Sequence, residues 1–303
     1  MRFKIVAIAA LFMLILALGQ LPTKTRASKP TASEGTAAQI HNLMATMNAG
    51  LEQMGDDRRV DSAAYITSAD SGELGQIVFF NDHGNRQIGA DWVPGDPRRG
   101  GFTDITYIID QTEGAIDGLT TAQTNAAIDR AMNTWDDVKC SNIPITKLPN
   151  IPATDIGVVE FLSGLGGSPF VFADVTHAGW VPGGTFPPDV IAVTFTFVFY
   201  GPGGPTDIDN NGKADTAFAE TLYHDAFAWA INGNIDVETV ALHESGHSLS
   251  QGHDGALFLT LANGKFHFAP RAVMNAGYTG VQQSLRTTDI GGHCSIWASW
   301  PNN

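Results

Sequence analysis

The sequence predicts a mixed α+β domain, and three observations carry that prediction. Stretches with helical spacing or helix-start signals occur at three separate places along the chain. β-branched and aromatic runs of strand length lie between them. The resulting order of strand, helix, strands and helix suits a twisted mixed sheet with helices packed on it. At 303 residues, 43% hydrophobic and 16% charged, the chain can bury a substantial core as one large domain or two small ones.

Residues 1–27 stand apart from that core. Arg2 and Lys4 precede an unbroken apolar run from Ile5 to Leu18, and small residues at Ala17 and Gly19, around its end, offer a cleavage site. The run is shorter than the ~20 residues of a spanning helix, so it reads as a secretory signal peptide, with a membrane anchor as the alternative. The mature chain is then expected outside the cell or in a periplasm, as a monomer. Removing 1–27 takes away Arg2, Lys4, Lys24 and Arg26 and no acid, leaving 13 basic against 31 acidic residues, a net of −18. Such a surface repels phosphate backbones and anionic lipid heads, which excludes nucleic acid and membrane-surface partners.

After the polar stretch "SKPTASEGT", Ile40, Leu43, Met44, Met47, Leu51 and Met54 form one apolar stripe and predict a helix. "YITS" and "GQIVFFNDHGNRQIGADW" read as short strands, with "NDHGN" as the turn between two of them. "VPGDPRRGG", residues 93–101, is a Pro/Gly-rich break with paired arginines. It is taken as a domain boundary and candidate processing site, which makes 28–100 an N-terminal segment or pro-region; an ordinary surface loop is the alternative. From Phe102, "FTDITYIID" alternates as a strand. "TTAQTNAAIDRAMNTWDDVKC" follows as a helix, with Thr120 and Gln123 placed for a capping box. "DIGVVEFL", "PFVFADV" and "DVIAVTFTFVFY" are strand-like. "GLGG" at 164–167 lacks the lysine and helix start of a phosphate loop, and no Gly-x-Ser-x-Gly elbow occurs.

Two cysteines, Cys140 and Cys294, lie 154 positions apart in a chain bound for an oxidising compartment. One disulfide is the economical reading, and two buried thiols the other. "DIDNNGKAD" offers Asp207, Asp209, Asn211 and Asp215 at positions 1, 3, 5 and 9 of a loop with Gly212 at the bend, a candidate Ca2+ site. Position 12 is Phe218 rather than Glu, so the loop is no EF-hand, and an Asx-rich turn is the plain reading.

The densest chemistry is "HESGHSLSQGH", residues 243–253, which holds three of the nine histidines. Asp236 as N-cap and Glu238 in the first turn predict a helix through it. One turn apart on that helix, His243 and His247 point the same way and can meet one Zn2+ ion, with Glu244 beside it as general base for a water. A catalytic zinc takes three protein ligands. No glutamate follows Glu244, so His253 is the expected third ligand and Asp254 the alternative. His177 and His224 read as hydrogen-bonded histidines rather than a second zinc site.

"HESGHSLSQGH" together with "AVMNAGY" resembles the signature of the metzincin zinc endopeptidases, in their bacterial matrixin-like branch. The likeness extends loosely over residues 102–300. It implies a metzincin-like catalytic domain, 101–303, with a mostly parallel five-stranded sheet, two long helices, an active-site helix and a closing helix at "TTDIGGHCSIW". It also implies His243, His247 and His253 as zinc ligands, Glu244 as base, Met274 as the turn methionine beneath the metal, and Tyr278 on the wall of the pocket for the residue after the cleaved bond. Two departures stand out. Ser250 replaces the family glycine, with Gly252 available for the bend, and the inhibitory pro-segment cysteine is absent.

The expected function is therefore a secreted zinc-dependent endopeptidase, with Glu244 as general base and a protein or peptide substrate laid along an edge strand of the sheet. A catalytically silent zinc-binding module and a calcium-stabilised adhesive protein are the alternatives.

Overall fold

The computed structural model describes residues 35–84 and 89–302; residues 1–27, which the sequence reads as a signal peptide, lie outside them. The methionine-rich stripe becomes α1 (Thr36–Met54), burying Ile40, Met44, Met47 and Leu51 and leaving Met54 exposed at its end. The chain continues through β1 (Arg58–Ser68), β2 (Ile77–Phe79), β3 (Ala90–Asp91) and β4 (Ile105–Ile109) to α2 (Thr121–Asp136). The capping box of Thr120 and Gln123 is present at the start of α2. Next come β5 (Ile145–Lys147), α3 (Val158–Ser163), β6 (Val175–Val181), β7 (Val190–Gly201), β8 (Gly204–Pro205) and β9 (Ala214–His224). The short strands β10 (Trp229–Ala230) and β11 (Ile235–Asp236) lead into α4 (Val237–Ser248). A hairpin of β12 (Ala256–Thr260) and β13 (Lys265–Ala269), then β14 (Gly277–Tyr278) and α5 (Thr287–Trp297), complete the order.

The α+β class holds, with a mixed sheet whose main path is β14-β1-β7-β9-β6-β4-β5. Its β5, β4, β6 and β9 are parallel, and β7 runs antiparallel between β9 and β1. Each face of this sheet packs a core of its own. On one side Ile128, Ala131 and Trp135 of α2 and Val240 and Ala241 of α4 meet Ile109, Val175 and Ala219. On the other, α1 covers Phe195, Phe197, Phe199 and Phe218. The alternation in "TFTFVF" follows: the phenylalanines of β7 point to α1, while Thr194 and Thr196 point to the α4 side.

Four sequence expectations are corrected. Of "PFVFADV" only Val175 lies in a strand. "DIGVVEFL" contains α3, a short helix rather than a strand. Its first amides, Val158 N and Val159 N, donate to the buried Glu220 carboxylate on β9 at 2.7 and 2.9 Å, a partner more than 60 residues away that local periodicity cannot reveal. β2 and β3 do not pair with each other: β2 joins β1, and β3 joins β9. The break at 93–101 does not divide the described residues, which fall in one compact unit, Gly35–Asn303. Arg98 reaches Asp215 at 2.7 Å, Arg99 reaches Asp174 at 2.7 Å, and β1 lies inside the sheet.

Among the described residues no helix is long and apolar enough to cross a membrane. The expected disulfide is formed: Cys140, just past α2, joins Cys294 in α5 with Cα atoms 5.7 Å apart. Closing so long a loop restricts the unfolded chain, so Cys140→Ser with Cys294→Ser should lose up to ~5 kcal/mol of stability, read as a lower melting temperature. Equal melting temperatures for parent and double variant would contradict this role.

Candidate metal centre

Helix α4 is anchored at both ends and buried along its length. Asp236 caps it, accepting from Thr239 N at 2.9 Å and Thr239 Oγ1 at 2.6 Å, and all its residues are buried. Three tryptophans donate their indole N–H to carbonyls from its midpoint onward: Trp135 to Leu242 O at 2.8 Å, Trp92 to Ser248 O at 2.9 Å, and Trp297 to Leu249 O at 2.9 Å. The last two satisfy acceptors that a helix C-terminus leaves unpaired.

On this support the Nε2 atoms of His243 and His247 stand 3.0 Å apart, and His253 Nε2 lies 3.2 and 3.1 Å from them. His243 Nδ1 donates to Val273 O at 2.7 Å and His247 Nδ1 to Gln251 O at 2.8 Å. A carbonyl only accepts, so both protons sit on Nδ1 and the Nε2 lone pairs of His243 and His247 converge on the point that His253 Nε2 also faces. Burial pushes His243 down to about 4, and His247 and His253 well below the usual histidine range, so all three are neutral at pH 7. Convergent lone pairs repel unless a cation lies between them. Tetrahedral zinc with nitrogen bonds of ~2.0–2.1 Å spaces its ligands by ~3.3 Å, close to what is observed. The donor set fits a metal ion.

Glu244 is fully buried beside this triad. Its Oε2 accepts from Thr194 Oγ1 at 2.7 Å, and its Oε1 has no hydrogen-bond partner. Burial raises its carboxyl to about 8, and the Thr194 hydrogen bond works against that rise. Thr194 escaped sequence reasoning. The only trace of it was the threonine phase of "TFTFVF".

Met274 packs under α4, where a Cβ added at Gly246 would collide with its Sδ. The glycine inside "HESGH" is thus what lets the methionine approach. Asp289 in the first turn of α5 holds the turn from below, accepting from Val273 N and Met274 N at 3.0 Å each. Tyr278 is buried, and its hydroxyl accepts from Asp236 N at 3.0 Å.

His253 arrives through a turn in which Ser250 itself adopts φ 63°, while Gly252 is not left-handed. The expected hand-over of the bend to Gly252 is therefore corrected. Asp254 is corrected too, both as rival ligand and as support for a ligand imidazole. Its N–H donates to Met274 O, its carboxylate accepts from the adjacent Gly255 N, and backbone carbonyls take the orienting role.

The second cluster is Asp207, Asp209 and Asp215, which the fold brings together. Asp215 accepts from Arg98 at 2.7 Å and Thr206 Oγ1 at 2.6 Å. Asn211 joins this cluster as a donor: its N–H donates to Asp207 and its Nδ2 to Asp209 and Asp91, while its Oδ1 accepts from Lys213 N. Burial raises the Asp209 carboxyl, assisted by Asp91 and Asp207. Arg98 already supplies a positive partner here. His177 bonds Tyr223 Oη at 2.8 Å and His224 bonds Val190 O at 2.9 Å, as expected of hydrogen-bonded histidines.

No protein-family model and no curated protein matches the chain.

Two outcomes follow from the turn. Ser250→Gly should stabilise the fold by up to ~1 kcal/mol, because a left-handed φ costs an L-residue ~1–2 kcal/mol in steric strain that glycine escapes, less the larger chain entropy that glycine loses on folding. A lower melting temperature would contradict the strain argument. In a chelator competition, His253→Ala should lose far more zinc affinity than Asp254→Asn, which should stay within the ~10-fold lower bound of an outer-shell change. The reverse order would exclude His253 as a ligand.

Proposed function

We propose that this chain is a secreted zinc endopeptidase. The observation that carries the reading is the triad of neutral imidazoles with the unpartnered Glu244 Oε1 beside it. All three donors are nitrogens, which suits zinc and not calcium. His243, His247 and His253 would hold the ion. When bound, it supplies Lewis acidity toward a water and toward the peptide carbonyl.

The remaining chemistry belongs to Glu244. Thr194 occupies Oε2, so Oε1 would be the acceptor for the proton of the attacking water, with the charge of a bound cation opposing the burial that raises this carboxyl. Glu244 then donates that proton to the leaving amine nitrogen as the C–N bond breaks. Secretion rests on residues 1–27, and the peptide substrate on the resemblance of the metal-site sequence to metzincins.

One observation favours a second reading, a zinc-holding module without turnover: β1 fills the edge of β7 that a peptide would need. Glu244→Gln separates the mechanism from this alternative. In a preparation that hydrolyses peptide, the variant should keep about one zinc per chain and lose ~100-fold or more in rate. Full activity in that variant would remove Glu244 from the mechanism. Absence of hydrolysis in every preparation would favour the silent module.

A further inference from the structure

The inference here deepens the peptide-site reading above and rests on it. An extended peptide binds a sheet by adding a strand to an open edge, with alternate side chains entering pockets. Of the strands beside the metal centre, β7 is the one that could offer such an edge, because its Thr194 touches Glu244 and its Thr196 lines the space next to His247. That edge is taken. β1 pairs with β7 antiparallel over nine positions, from Arg58↔Phe199 to Thr67↔Val190, and its far end pairs parallel with β14 through Thr67↔Gly277 and Ser68↔Tyr278.

The side chains of β1 sort as those of a bound peptide would. Ser62 and Ala64 line a void of about 40 Å³ next to His247. Ile66 lines one of about 20 Å³ with His243, Val273 and Tyr278. Ala63 and Tyr65 turn the other way, into the core under α1. Ala64 and Ile66 therefore flank the metal centre, one beside His247 and the other beside His243, with Tyr65 between them facing the opposite core. One water needs ~10–15 Å³ of such space, so the voids admit water and no second side chain. The outer edge is closed as well. Gly75 N donates to Ala276 O at 2.7 Å, Tyr65 N donates to Gln76 O at 3.0 Å, and a Cβ on Gly75 would collide with Tyr65 O.

We propose that Ser62–Ser68 is an in-cis occupant of the peptide site, with Ile66 seated in the pocket beside His243 and Tyr278. The folded chain is latent until this strand leaves β7. Once open, the site takes peptides that place a branched aliphatic side chain in the Ile66 pocket.

The test uses the zinc-loaded secreted chain and a fluorescein-labelled hydroxamate of a leucine-containing dipeptide, read by anisotropy and by hydrogen exchange. The parent should bind the probe at least ~10-fold more weakly than Ile66→Asp or Gly75→Ala, because its affinity is scaled by the fraction of open chains. Ile66→Val should behave as the parent. At saturating probe, amides 58–68 of the parent should lose protection, since probe and strand exclude each other. Probe bound to the parent with 58–68 still protected would overturn the proposal. So would a folded variant whose 58–68 amides exchange freely and which still binds no probe. If neither Ile66→Asp nor Gly75→Ala keeps a cooperative melt, the exchange experiment on the parent decides alone. Peptide hydrolysis is scored separately: an opened variant that binds the probe and cuts nothing removes the peptidase reading and leaves the in-cis occupant standing.

Discussion

Three imidazole nitrogens held within about 3 Å of one another are the constraint on which the rest depends. Neutral imidazoles would not gather this way unaided, so the surroundings must hold each ring in place. Two ring orientations are set by backbone carbonyls, Val273 O and Gln251 O, and each of those is fixed in turn. Val273 sits in a turn clamped by Asp289, and Gln251 follows the strained Ser250. Behind them stand three indole donors that pin α4 and its C-terminal turn, contributed by residues as far apart as Trp92 and Trp297. The metal site is thus a property of the whole fold.

Local signals in the sequence were readable where the physics is local. The i, i+4 histidines, the Asp236 cap, the Thr120–Gln123 box and the stripe of α1 each depend on neighbours within a turn or two, and each is found. What stayed hidden depends on distant partners. α3 starts on Glu220, and the fully buried β9 that carries it was not singled out because Asp215, Thr216 and Glu220 interrupt its apolar run. Thr194 meets Glu244 across 50 residues. The left-handed Ser250 was missed for another reason: serine is not the residue that such a conformation announces.

The N-terminal third departs most from expectation. A Pro/Gly-rich stretch with paired arginines looks like a seam, yet Asp96, Asp174 and Asp215 engage both arginines. In a chain with so large an excess of acid, carboxylates are abundant partners, and the scarce cations become fasteners. Arg98 also lies over the Phe199 ring, 4.0 Å from its centroid, which ties the stretch to β7 itself.

The alternation of β1 has a consequence in time. Tyr65 belongs to one core and Ile66 to the other, so the strand cannot loosen residue by residue without exposing both sides of the sheet. Both of its edges are engaged, by β7 on one side and by β2 and β14 on the other. Departure is then a single cooperative event, with a barrier closer to that of sub-global unfolding than to loop breathing. A population of such molecules would respond to a triggering change as a single exponential, each molecule waiting and then switching abruptly, so that the ensemble signal measures how many have crossed rather than how far each has moved.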